Sequence, residues 1–298
     1  MNKLSRISAL FFCMSATSFI YGQKAQSVAI NFQGVVGDKA FSCNETYGGI
    51  GTTKSSMTVS DFRFFVENVR LVDKKGKETP LTLTNDGKFQ TDKVALIDFE
   101  NGEGACKNGT PELNTTIRGA VPKGKYVGVR FQIGVPEELN HLDPTKQPSP
   151  LNITRMMWSW QAGFKFARID TKTTGKPNGY VLHLGSAGCK ADTDGKITCT
   201  NSNRPEFAFA KFDAAKDVIN VDLAALYKES NVDINQEKTA SGCMSSPDDS
   251  DCKAVFLHLG LSFDGVTPAK QSFMRLENAS KTTARKSAIV ANTLVGVK

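Results

Sequence analysis

The sequence predicts an all-β fold: an antiparallel β-sandwich or barrel-like single domain with long loops and disulfides. Three observations carry that expectation. Short runs alternate apolar and polar residues, clusters of Gly, Asp, Asn and Pro separate them, and six cysteines follow the N-terminal segment.

Val28–Phe32 (VAINF) alternates with period two, which places its apolar side chains on one face of a strand. Phe62–Val72, Lys93–Phe99, Tyr126–Val135 and Phe164–Ile169 follow the same rule. Tyr180–Leu184, Glu206–Phe212, Val218–Val221 and Val255–Phe263 read as further strands. Between them, segments such as Asp73–Gly76, Asn85–Gly87, Pro122–Gly124 and Asp192–Gly195 hold residues that favour tight turns. Leu223–Glu229, led by Asp222 as a capping carboxylate, is the one fair helix candidate. The chain shows no internal repeat and no boundary between halves, so residues 26–277 are expected to form one domain. Residues 278–298, rich in Lys, Ala, Ser and Thr, read as a partly disordered tail or an edge strand.

Residues 1–25 have the order of a secretory signal peptide. Lys3 and Arg6 precede an apolar stretch from Ile7 to Ile20, and small or polar residues follow around Gly22 and Ala25. Ser15, Thr17 and Ser18 interrupt that stretch, and a transmembrane helix needs roughly 20 apolar residues. No later segment is long and apolar enough to span a bilayer, so the mature chain is expected in the periplasm, secreted or at the cell surface. The formal charge of +7 falls to about +5 on loss of Lys3 and Arg6 and is spread along the chain. That pattern fits a solvated surface rather than a nucleic-acid groove.

The cysteines agree with export. Cys43, Cys106, Cys189, Cys199, Cys243 and Cys252 are even in number, as expected for disulfides in an oxidising compartment. Six cysteines allow about 15 pairings. The close spacings favour Cys189–Cys199 and Cys243–Cys252 as local staples, which leaves Cys43 for Cys106. No Cys-x-x-Cys-His attaches a haem, and no Cys-x-x-Cys pair marks a zinc cluster.

The chemistry concentrates in 134–170, GVPEELNHLDPTKQPSPLNITRMMWSWQAGFKFARID. Both tryptophans, Trp158 and Trp160, lie here with His141, Met156 and Met157. On an extended strand the two indoles face the same way. His183 sits in YVLHLGSAGC and His258 in VFLHLGLSF. Imidazole is a common ligand for copper and zinc, and a thioether adds affinity for monovalent copper. Taken alone, the pattern fits hydrogen-bonded core histidines and sandwich-core tryptophans better than a metal site. There is no Ser-His-Asp or paired-carboxylate pattern and no His-Glu-x-x-His, so the reading is a binding protein and not an enzyme.

The run NHLDP…QPSPLN…MMWSWQAGFKFARID, followed by LHLGSAGC and later GC…C, resembles the MbnP family. DFRFFVENVRLVDKKGK, VALIDFENGEGAC, RGAVPKGKYVGVRFQIGVP and CKAVFLHLGL extend the likeness over most of the chain. The resemblance implies an exported protein that binds copper through histidines and a kynurenine made from tryptophan. The partner it implies is a MauG-type di-haem cytochrome c peroxidase-like enzyme, which oxidises that tryptophan. Carried over, His141 and His183 in the Asn-His-x-Asp-Pro and His-Leu-Gly-Ser motifs are the first-choice ligands. Trp158 and Trp160 match Trp-Ser-Trp-Gln, with Trp160 the favoured site of modification. Met157 is an axial or supporting group, and Asp143 or Gln161 would hold an imidazole or the modified ring. His258 is expected to be a strand residue. Two departures are visible: Phe164 stands where the family has Tyr, and six cysteines exceed the family's four. The alternative is an exported structural or adhesive β-sandwich without a metal.

Overall fold

The computed structural model describes residues 24–159 and 161–278. The signal-like segment, Trp160 and the tail beyond Asn278 lie outside the described residues. The principal strands, in order, are β1 (Ala25–Val36), β2 (Ser55–Asp73), β3 (Val94–Asp98), β4 (Thr116–Pro122), β5 (Tyr126–Ile133) and β6 (Ala167–Thr173). They continue with β7 (Tyr180–Leu184), β8 (Ala187–Ala191), β9 (Ile197–Asn201), β10 (Glu206–Phe209), β11 (Asp217–Asp222) and β12 (Met274–Asn278). One sheet runs β12–β11–β1–β4. A larger sheet runs β10–β5–β2–β6–β7, with β3 on the other edge of β2, and β8–β9 forms a separate hairpin. Pairing is mostly antiparallel. The exceptions are β1 with β11 and β7 with the short strand Gly242–Cys243, both parallel.

The two sheets face each other through an aromatic core. Phe32 of β1 meets Phe64 of β2 and Phe131 of β5 edge-on at 6.1 and 5.6 Å, and Phe131 stacks on Phe207 of β10. Such offset and edge contacts suit ring quadrupoles. β2 departs from simple alternation: all seven residues from Asp61 to Glu67 are buried. Phe62, Phe64 and Val66 face the sandwich core, and Asp61, Arg63, Phe65 and Glu67 face the opposite side. That side is covered in turn by the excursion between β5 and β6, where Phe164 meets Phe65 at 5.9 Å. The long loop of the Trp-rich segment therefore closes a second layer over the large sheet.

The expected helix is present in shorter form as α1 (Leu223–Leu226), with the Asp222 carboxylate accepting from the Ala224 and Ala225 N–H groups. In the expected strand Val255–Phe263, Val255–Leu259 instead belongs to helix α2 (Asp251–Leu259). Its buried residues, Cys252, Val255, Phe256 and Leu259, recur at helical spacing, and left-handed Gly260 (φ 89°) ends it. A short apolar run has no period that separates a strand from a buried helix. His258 lies on this helix, with Nδ1 2.6 Å from Ser272 Oγ.

Cys43–Cys106, Cys189–Cys199 and Cys243–Cys252 are disulfides. The first ties the loop after β1 to the loop after β3. The second joins directly opposed residues of the β8–β9 hairpin. The third fastens α2 to the strand beside β7. Among the described residues, no helix is long and apolar enough to cross a membrane.

Candidate metal centre

Strand register builds the floor of the site. Asp98 of β3, Arg63 of β2, Arg168 of β6 and His183 of β7 are successive cross-strand partners and so share one face. The next row holds Asp61 opposite Asp170. Between β2 and β6 like charges thus face each other within each row, and the sign alternates along the strands, on a face that the overlying loops bury. Arg63 bonds Asp61 and lies 3.1 Å from Glu100, while Arg168 Nε lies 3.1 Å from Asp61 and 3.0 Å from Asp170. Buried charges persist in this way when each has a hydrogen-bonded partner.

His183 is the end of that row. Its Nε2 lies 2.7 Å from Asp170 Oδ1. Burial opposes ionisation of Asp170, yet hydrogen bonds from His183 and Arg168 outweigh it and bring the carboxyl down to about 2. An ionised carboxylate only accepts, so Nε2 carries a hydrogen, and in the neutral imidazole the lone pair is then on Nδ1. Asp170 is therefore the acceptor that orients this imidazole. The expectation that Asp143 or Gln161 would serve is corrected for His183, because both point elsewhere. Asp143 caps the turn at Thr145, and Gln161 Nε2 donates to the Cys189 carbonyl. Sequence reasoning missed Asp170; its signal was the Arg-x-Asp alternation in ARID, which puts both charges on one strand face.

Trp158 is half-buried above His183, with ring centroids 6.5 Å apart. Its six-membered ring lies on Gly185, where an added Cβ would come within 2.4 Å of Cζ3. Only glycine leaves room there for the indole. Trp158 also lines a cavity of about 340 Å³ with Ser159, Gln161, Ser186, Cys189 and Met244. Met157, the sequence candidate for a thioether, is instead buried in the core and pairs with Phe164. Met244, which the sequence reading did not single out, is the thioether on the cavity wall. Trp160 lies outside the described residues.

His141 reaches the same corner through its neighbour. Buried Asn140 accepts the Phe164 N–H at Oδ1 (3.0 Å), which fixes the amide orientation. Its Nδ2 therefore faces both His141 Nε2 at 3.1 Å and Ser186 Oγ at 3.5 Å. Ser186 follows Gly185 on the segment leaving β7. His141 Nε2 is also 3.5 Å from Cys199 Sγ. His141, Cys189 and Cys199 thus bring potential ligand atoms within 4.8 Å of one another, although the two sulfurs are bonded as a disulfide. The structure unites His183 with Trp158 directly, and brings His141 against Asn140 and Cys199. His258 is away from this grouping, on α2 near Glu229 and Ser272.

The donor chemistry at this corner suits copper. An imidazole is held by a carboxylate through one nitrogen, a second imidazole meets the Asn140 amide, and a thioether lines the cavity.

Residues 25–245 match the MbnP family model. Among solved structures, the fold is similar to that of MbnP from Methylosinus trichosporium, with 33% identity and a TM-score of 0.78, covering 86% of this chain and 99% of that one. No curated protein matches the sequence. On the strength of a family match over most of its length and a closely similar solved fold, the chain belongs to the MbnP family.

Proposed function

We propose that this protein is an exported copper-binding protein, acting in acquisition, storage or delivery rather than as an enzyme. The observation that carries the reading is the contact of Trp158 with His183, an imidazole already oriented by Asp170, at the wall of an open cavity. His183 through Nδ1 and His141 would hold the metal, with Met244 as the nearest thioether. Copper would supply strong affinity for nitrogen and sulfur donors.

Oxidation of a tryptophan to kynurenine by a MauG-type di-haem partner fits the position of Trp158. An indole offers only an N–H donor, whereas kynurenine adds an aryl amine and a carbonyl. Trp158 is half-buried on the cavity wall, so an oxidising protein can approach it while Asp170 and Arg168 stay on the sheet face beneath the loops. Trp160, the favoured site on resemblance, lies outside the described residues, so the geometry bears on Trp158 alone.

The test is metal analysis and intact mass on protein made with and without the di-haem enzyme. Co-produced protein is expected to carry one copper and a gain of about 4 Da, one oxygen gained and one carbon lost, on the peptide holding Trp158 and Trp160. His183→Ala and His141→Ala should each lower copper affinity by about tenfold or more without loss of fold. Metal-free, mass-unchanged protein from co-production would favour the plain structural sandwich.

A further inference from the structure

We propose a second metal site that the oxidised protein conceals: reduction of Cys189–Cys199 releases a Cys2His donor set with His141 for a thiophilic d10 cation, zinc(II) or copper(I). The site shares His141 with the proposed copper site but takes its other two ligands from the hairpin cysteines in place of His183, so it stands whether or not the oxidised protein binds copper.

Three observations converge. His141 Nε2 lies 3.5 Å from Cys199 Sγ, and all three potential ligand atoms fall within 4.8 Å. With metal–sulfur and metal–nitrogen bonds of about 2.3 and 2.0 Å, two ligands of one tetrahedral ion stand about 3.5 Å apart. The imidazole therefore already has the spacing of a shared ligand. Second, this disulfide is the accessible one. Cys189 and Cys199 are half-exposed, and Cys189 lines the cavity beside Trp158. Cys43 is 5% exposed, and Cys106, Cys243 and Cys252 are fully buried. Thiol–disulfide exchange requires a thiolate to reach a sulfur, so a reductant meets this bond first. Third, the hairpin that carries it is its own two-stranded sheet, outside the two sheets of the sandwich. Its sulfurs can separate without disturbing the core.

The chemistry balances. A dithiol reductant passes two electrons and two protons to the disulfide and becomes a disulfide itself, leaving two cysteine thiols. The metal then displaces both thiol protons and binds two thiolates and the Nε2 lone pair. The Asn140 amide now on Nε2 has Ser186 Oγ, 3.5 Å away, as its alternative acceptor. A water in the adjoining cavity completes the coordination. Soft thiolates select zinc and monovalent copper over harder cations.

The test takes the mature protein, a limiting phosphine reductant and alkylation mapped by mass. Cys189 and Cys199 are expected to be the first cysteines alkylated. Chelator competition should then show one zinc(II) or one copper(I) bound at least about tenfold more tightly than by oxidised protein, and cobalt(II) should develop a thiolate charge-transfer band. His141→Ala should cut that gain by about tenfold while both thiols still form. The double variant Cys189→Ser, Cys199→Ser keeps the buried disulfides and should show no gain on reduction. The proposal is overturned if a buried bond opens first, if reduction brings no tighter binding, or if the gain survives His141→Ala. Copper binding by the oxidised protein is measured separately, so its failure would leave this test standing.

Discussion

Single side chains decide the geometry of the candidate centre. Asp170 bridges Arg168 and His183, and its ionised carboxylate fixes which imidazole nitrogen is taken up by the hydrogen bond. Replacing it by Asn keeps the shape but presents an amide that can turn either its oxygen or its N–H toward Nε2, so the tautomer is no longer enforced. Asp170→Asn is expected to weaken copper binding by roughly tenfold, the usual effect of losing an oriented partner. Nitrogen-15 shifts of His183 in metal-free protein provide the independent readout: they should show one tautomer in the parent chain and a mixture in the variant. An unchanged tautomer with unchanged affinity would deny Asp170 its role.

At the scale of elements, the disulfides differ in what they constrain. Cys43–Cys106 spans 63 residues and binds the β1 loop to the loop beyond β3, whereas Cys189–Cys199 and Cys243–Cys252 span 10 and 9. In the chain-entropy account, closing the long loop contributes about 4 kcal/mol and each short one about 2.5–3 kcal/mol. Cys43→Ser, Cys106→Ser should therefore lower the unfolding free energy more than Cys189→Ser, Cys199→Ser, as measured by denaturant titration. The reverse order would show that local packing, not loop closure, sets the contribution. The Cys189–Cys199 hairpin is the element best placed to open, since it shares no ladder with the main sheets.

Over the whole molecule, the buried charge layer beneath the loops should shape the pH dependence of stability. Burial pushes Glu100 up to about 8, helped by nearby Asp61 and only partly offset by Arg63. Burial likewise raises Asp98 and Glu67 to about 7 against Arg63 and Arg204. A raised carboxyl binds its proton more tightly folded than unfolded. Its contribution is present below the unfolded value near 4.5 and is lost as pH rises through about 7–8. Asp170 has the opposite sign: its contribution is present above the ordinary aspartate range and is lost as pH falls toward 2. The melting temperature is expected to peak at acidic pH near about 4–5 and decline between about pH 4.5 and 8. Glu100→Gln should flatten that decline, and an unaltered slope would place the titration elsewhere. Glu100 is packed so closely that a Cβ at Gly109 would lie within 3.0 Å of its carboxyl atoms.

The sequence by itself determined the β class, most principal strands and the Asp222 cap, and its close spacings favoured the two local disulfides that the structure contains. These are local properties: a period of two, a turn residue, a capping carboxylate or a ten-residue loop is written within a few positions. Only the tertiary structure decided that Val255–Leu259 is helical, that Met244 replaces Met157 at the cavity, that Asp170 orients His183 and that His141 rests on a disulfide. Each depends on contacts between segments far apart in the chain. Burial of both faces of Asp61–Glu67 is the clearest case. Its alternating pattern reads as a strand with one wet face, and the covering layer comes from a loop some 70–100 residues later. Register across four strands then aligns Asp98, Arg63, Arg168 and His183, because hydrogen-bonded pairing, not sequence spacing, fixes which side chains meet.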